Sequence, residues 1–358
     1  MVTRIRAKEQ AVAKKRLISL SVVLAALAVA ALFQPVPYVL ERPGPLYNTL
    51  GEVDGTKLVD ISGTKTYPTK GELNMTTVSV YGGPELGVDL IQAIGGWFNP
   101  KVNVIPREVV YPENLTQQEE EQASFADFSA SQSNATAAAL NYLHLPVQSK
   151  ILVSSIESGM PADGVLEPGD IVLSVNGVEV TSAKQTVALI RIPPVGKLVR
   201  MAVLRKGRIK NVLVKTVAHP ENAKWPFIGI AVDTNYEATF RIDFGVDDVG
   251  GPSGGTMFAL SIIDKLTPGS LANGKIIAGT GTITPTGEVG AIGGIAQKMI
   301  ASADHGAELF IAPQENCEDI IGHVPSGLKV VPVKTLSQAV KVLKDFKNKK
   351  PLASCSKN

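Results

Sequence analysis

The sequence predicts an α+β multidomain protein with an N-terminal transmembrane helix, a β-rich middle module and an α/β domain towards the C-terminus. Three observations predict it. An uncharged apolar run fills Leu17–Phe33, and short β-patterned runs punctuated by turn residues fill residues 148–216. From Gly250 onward, glycine-rich turns alternate with strands and apolar helix faces. At 358 residues there is room for two or three domains, and 44% hydrophobic against 19% charged residues supplies core that a disordered chain lacks. The formal charge of +2 argues against a nucleic-acid partner.

Residues 1–16 form a basic tail, in which Arg4, Arg6, Lys8, Lys14, Lys15 and Arg16 face the single acid Glu9. A transmembrane anchor is expected over residues 17–36, and the positive-inside rule keeps the basic tail in the cytoplasm. The apolar run is at the short end for a span, where about 20 residues are typical. Ala26-Leu27-Ala28 and Ala28-Val29-Ala30 also resemble a signal-peptidase site. Both readings export the body of the chain. The expectation adopted is a single-pass protein of the cell membrane whose bulk is extracytoplasmic.

Pro35, Pro37, Pro43 and Pro45 make a stiff exit into a mixed extracytoplasmic region, residues 37–145. It contains a strand-like run, Thr76–Tyr81, a turn at Gly82-Gly83-Pro84, and a helix-forming run from Leu115 to Leu143.

Residues 146–220 read as a compact β-rich module. Ile151-Leu152-Val153 and Ile171–Val175 are strands, Asn176-Gly177 is a turn, Ser182–Ile190 is a helix, and Val199–Val203 and Val212–Val214 are further strands. Ser158-Gly159-Met160-Pro161-Ala162, Leu166-Glu167-Pro168-Gly169-Asp170 and Val175-Asn176-Gly177 resemble a bacterial PDZ domain. The resemblance implies peptide binding by strand addition, with a carboxylate-binding loop expected just before Ile151. The residues there are Val147-Gln148-Ser149-Lys150, which lack that loop's glycines.

Residues 228–345 carry the chemistry. Gly250-Gly251-Pro252-Ser253-Gly254-Gly255 is a glycine-rich turn opening a helix with Met257, Leu260 and Ile263 on its apolar face. Ser253 at such a helix start is either an N-cap or a nucleophile beside free backbone N–H groups. The turn is no phosphate loop, because G-x-x-x-x-G-K-[ST] is absent and no ATPase motor is recognisable. Gly293-Gly294 opens a second helix, in which Ile295, Lys298 and Ser302 share one face. A desolvated Lys298 beside Ser253 would make a nucleophile–base pair without histidine. Cys317 and Cys355 are far apart and predict neither a disulfide nor a metal cluster; four histidines without H-E-x-x-H argue against a metallohydrolase. Cofactor and metal are both expected to be absent. Residues 346–358 are a polar tail.

Several segments occur in an order that strongly resembles the protease domain of Lon-type serine endopeptidases. They are Gly251-Pro252-Ser253-Gly254-Gly255, Thr280-Gly281-Thr282-Ile283-Thr284, Gly287-Glu288-Val289, Ile292-Gly293-Gly294-Ile295 with Lys298, and Ile311–Asn316. The resemblance implies Ser253 as nucleophile, Lys298 as base, and Thr280 as the threonine that orients the lysine. Gly254 is a supporting residue near the oxyanion, and Thr286 is a weaker alternative to Thr280. Many members carry an aspartate three positions before the serine; here that position is Gly250, with Asp247 and Asp248 just upstream and no acid assigned to the dyad. His305 reads as an ordinary helix end. The whole order resembles the bacterial membrane-anchored PDZ–Lon proteins, which implies ATP-independent hydrolysis of unfolded or extended polypeptides and self-association as a homo-oligomer. A non-catalytic membrane-tethered peptide-binding adaptor is the alternative.

Overall fold

The computed structural model describes residues 18–83, 87–111, 117–246 and 249–355. Helix α1 covers 18–32 and points Ile18, Leu20, Val22 and Leu27 outward, more than half exposed. It stops ahead of Pro35, which cannot donate to a helical bond and disfavours helix before it. At 1.5 Å per residue its described part, which begins where the described residues begin, is about 22 Å long, against about 30 Å of membrane hydrocarbon. Among the described residues no helix is long and apolar enough to cross a membrane. The described residues thus lend the span expected over 17–36 no support, while Leu17 and the basic tail lie outside them.

Three strands of the main sheet and a long helix come from residues 37–145, expected as a mixed region of its own. They are β1 (Tyr38–Asn48), β3 (Glu72–Tyr81), β4 (Asn103–Pro106) and α3 (Gln117–Tyr142); between them lie β2 (Val59–Ser62) and α2 (Leu90–Trp97). The small module follows, with β5 (Val147–Ile156), β6 (Ile171–Val175), α4 (Ala183–Ile190), β7 (Leu198–Arg205), β8 (Arg208–Lys215) and β9 (Ile230–Ala238). The chain then returns through β10 (Arg241–Phe244), α5 (Gly255–Leu266), β11 (Ile276–Gly279), α6 (Ile295–Asp304), β12 (Leu309–Pro313), β13 (Lys329–Val333) and α7 (Leu336–Lys347).

One six-stranded sheet, ordered β13-β12-β11-β3-β1-β4, joins both halves. Strands β13, β12, β11 and β3 run parallel, with Ile276 opposite Glu72 and Gly279 opposite Met75; β1 is antiparallel to β3 and β4. Met75, Phe128, Ala135, Phe258, Ile277 and Leu309 share one core. Residues 37–145 and the C-terminal segment are thus parts of one folded body. Pairing between segments some two hundred residues apart leaves no local pattern, so sequence periodicity could not reveal it.

The small module is inserted between these halves. Its sheet, β8-β7-β6-β5-β9, is antiparallel throughout and encloses Val153, Val172, Val199, Met201 and Ile228. Ser182 caps α4, its Oγ accepting the Gln185 N–H at 3.2 Å. Strands β5 and β9 pair from Ile156–Ile230 to Val147–Ala238, which brings both ends of the insertion together beside α3. Val147–Lys150 therefore lies inside a paired strand and cannot be the loop expected before Ile151. The edge strand facing α4 is β9, entered through Phe227-Ile228-Gly229 with Gly229 at φ +79°.

Contrary to the sequence expectation, Cys317 and Cys355 form a disulfide, with Cα atoms 5.3 Å apart. It ties the tail beyond α7 back to the segment after β12. The folded path of that tail, rather than any cysteine spacing, brings the two thiols together.

Candidate active site

Gly251, at φ +79°, turns the chain into Pro252 and Ser253, and Gly254 forms the N-cap of α5. Helix α5 is buried on nearly all sides, through Met257, Phe258, Leu260, Ile262 and Ile263. A Cβ at 254 would lie 2.2 Å from Met75 Sδ, so a larger residue there would require the buried Met75 to shift. The cap residue is Gly254, which has no side-chain cap bond, so Ser253 is not the helix N-cap. Its half-buried hydroxyl points elsewhere.

It meets Lys298. Helix α6 starts from Gly294 in the left-handed conformation, φ +66°, where a Cβ would strike Val78 Cγ1 at 2.5 Å. That start turns Ile295, Lys298, Met299 and Ser302 into the core. Lys298 Nζ donates to Ser253 Oγ at 2.9 Å and to Thr280 Oγ1 at 3.2 Å. Thr280 follows β11, is fully buried, and donates its own Oγ1–H to the Ser253 carbonyl at 3.1 Å. The threonine lone pairs are thereby directed at the amine. Gly281 N–H also donates to the Ser253 carbonyl, at 2.8 Å, which fixes the strand end against the nucleophile loop.

Lys298 is only 2% exposed. Burial pushes its ammonium down from the ordinary lysine value to about 8, opposed by the negative charge of Glu41 on β1. A side chain that is usually a surface cation is here close to the deprotonation a general base needs. A cleft of about 270 Å³ opens onto the pair, lined by Met75, Phe128 and Val249 on its apolar side. A larger cavity of about 950 Å³ lies under the C-terminal tail and contains no member of the pair.

The other sequence candidates fall outside the cluster. Thr286 is exposed and bonds Thr284 at 2.8 Å; His305 is the C-cap of α6. Asp247 and Asp248 lie outside the described residues. Gly250 packs against α3, where a Cβ would lie 2.2 Å from Ser124 Oγ, so no side chain is accommodated there without movement. Sequence reading missed α3 as part of the site. Ser131 Oγ donates to the Pro252 carbonyl at 2.9 Å, and the Gly251 N–H donates to the Ser124 carbonyl at 2.9 Å. The spacing of Ser124, Phe128, Ser131 and Ala135 on one helix face was the available signal. It also missed Glu41, which a strand pattern does not distinguish from any surface acid.

Residues 235–345 match the Lon protease (S16) C-terminal proteolytic domain, and residues 152–205 match a PDZ domain. The C-terminal segment is thus similar to a Lon-type proteolytic domain. The "Lon protease" of Elusimicrobium minutum is 31% identical over 163 residues, 44% of this chain and 19% of the relative. That of Aster yellows witches'-broom phytoplasma is 37% identical over 90 residues, 24% of this chain and 11% of the relative. The chain thus spans less than a fifth of the length of these curated relatives. The crystal structure of the PDZ domain of the SdrC-like protein from Listeria innocua covers 23% of this chain at 24% identity and a TM-score of 0.21, a likeness that adds nothing to the matched PDZ model. The Lon-type match begins within β9, so β1, β3 and α3, which complete the body around the dyad, lie outside it.

Proposed function

We propose that the protein is an ATP-independent serine endopeptidase in which Ser253 is the nucleophile and Lys298 the general base. The observation that carries this reading is the buried Lys298 amine, 2.9 Å from a half-buried Ser253 hydroxyl. The neutral amine takes the hydroxyl proton as Ser253 Oγ attacks a peptide carbonyl, giving a tetrahedral oxyanion. Loss of the amine leaving group, protonated by Lys298, leaves an acyl-enzyme that water hydrolyses by the reverse proton path. The N–H groups of Ser253 and Gly254 precede α5 and are the proposed oxyanion donors.

Extended polypeptides are the proposed substrates. Beyond Met75, β3 pairs only with β1 among the described residues, and Thr76–Ser79 line the cleft, so a substrate can add there as a strand. Proton transfer between the adjacent Ser253 hydroxyl and Lys298 amine needs no nucleotide, which supports turnover without ATP. The groove between β9 and α4 is proposed to select or regulate substrates, with the turn at Ile228-Gly229 as the place for a terminal carboxylate. The exposed apolar helix α1 and the disulfide support a location outside the cytoplasmic membrane, tethered by the N-terminal segment.

The decisive test is to trap an acyl-enzyme from an extended peptide and locate it by mass spectrometry. Acylation at Ser253, lost in Ser253→Ala and Lys298→Ala, is expected. Undiminished cleavage by either purified, folded variant rejects the dyad.

A further inference from the structure

Helix α3 contacts both the nucleophile loop and the inserted module. Ser131, 2% exposed, donates to the Pro252 carbonyl at 2.9 Å. That carbonyl and the Ser253 N–H belong to one peptide plane and point in opposite directions across a trans bond. Holding the carbonyl therefore holds the direction of the Ser253 N–H. Two residues further along the helix, Ser133 Oγ accepts the Tyr236 N–H at 2.6 Å. Tyr236 lies in β9, the module's edge strand, and Thr234 on that strand accepts the Ala183 N–H at the start of α4 at 3.0 Å. A short series of hydrogen bonds thus runs from the module's groove, through α3, to the residue before the nucleophile.

We infer that α3 braces the nucleophile loop from the inserted module, with Ser131 and Ser133 as positioning residues that set the Ser253 peptide plane. Its catalytic consequence rests on the peptidase reading above; the brace itself does not. Without the Ser131 hydroxyl the Pro252 carbonyl loses the bond that sets its direction, although the Gly251 N–H and the Ser253 carbonyl on either side stay bonded. The amide aimed at the oxyanion is then lost, while substrate binding along β3 is untouched. Loss of one such donor costs on the order of 10²-fold in kcat. Ser133→Ala acts one step further away, and both residues act as one unit.

The experiment uses the full chain and two readouts. With a fluorogenic extended peptide, Ser131→Ala is expected to lower kcat about tenfold or more with KM unchanged within about twofold. Ser133→Ala is expected to lower kcat less, and the double variant to be no worse than Ser131→Ala alone. By hydrogen exchange and mass spectrometry, the segment 249–255 is expected to exchange faster in both single variants while α7 keeps its protection. Unchanged exchange at 249–255 in Ser131→Ala overturns the brace, whether or not the wild-type protein cleaves peptide. Independent, additive losses in the double variant overturn the link to the module. A wild-type protein that cleaves nothing rejects the peptidase reading and leaves the brace to be decided by exchange. Ser133→Ala supplies the same exchange measurement should Ser131→Ala fail to fold.

Discussion

At the residue scale, the chemistry depends on removing one lysine from water. Charged Lys298 is disfavoured in the core, and its pKa of about 8 leaves roughly a tenth of it neutral at pH 7. The base form is the working form, so activity is lost as pH falls through that value. A kcat/KM profile is expected to show an ascending limb near pH 8. Glu41 favours the ammonium, so Glu41→Gln is expected to move the limb to lower pH and to raise activity at neutral pH. An unshifted limb would show that Glu41 does not act on the amine. Stability follows the opposite interest. Because the folded-state pKa lies below the unfolded one, the buried ammonium weakens the fold below about pH 8, and that cost is relieved as pH rises towards the ordinary lysine value. Lys298→Met is therefore expected to abolish turnover while raising stability at pH 7 by about 2–3 kcal/mol, read from urea unfolding. Lys298→Arg is expected to be inactive, since a guanidinium does not lose its proton at these pH values.

Elements matter here for how they begin. Helix α5 delivers Ser253 and helix α6 delivers Lys298, and both start on glycines where a Cβ would displace a neighbour, Met75 at Gly254 and Val78 at Gly294. Gly294→Ala would combine a left-handed backbone, disfavoured for alanine by about 1 kcal/mol, with a contact of 2.5 Å to Val78. A loss of about 1–3 kcal/mol in unfolding free energy is expected, together with reduced kcat, because α6 can no longer enter the core at the same angle. Wild-type kcat in that variant would separate the helix start from the dyad's geometry. Strand β11 contributes through its end: it stops at Gly279, Thr280 turns in to meet the lysine, and β3 beyond Met75 pairs only with β1 among the described residues.

Across the whole molecule, an inserted β-module sits between two halves of one α/β body, and a disulfide secures the tail of that body. Cys317 and Cys355 close a loop across 38 positions. In the chain-entropy account a loop of that size contributes about 4 kcal/mol. Reduction, or Cys317→Ala, is expected to lower the unfolding free energy by about 2–4 kcal/mol, measured with and without dithiothreitol. An equal response of the Cys317→Ala variant to reductant would show that the effect is not this bond.

Short-range pattern was enough to single out candidate residues for the site. Ser253 and Lys298 stand in glycine-punctuated segments whose local turns and helix starts are short-range matters, so both were legible as candidates, while Thr280 entered only through the ordered resemblance and no one segment sufficed alone. The strands of the small module and the long helix α3 were legible for the same reason. Tertiary structure decided what those elements belong to. The pairing of β3 with β11, the return of β9 alongside β5, the contact of α3 with Pro252 and the union of Cys317 with Cys355 all join residues distant in the chain. Such contacts are selected by burial of complementary surfaces and by backbone groups seeking partners, which no local pattern encodes.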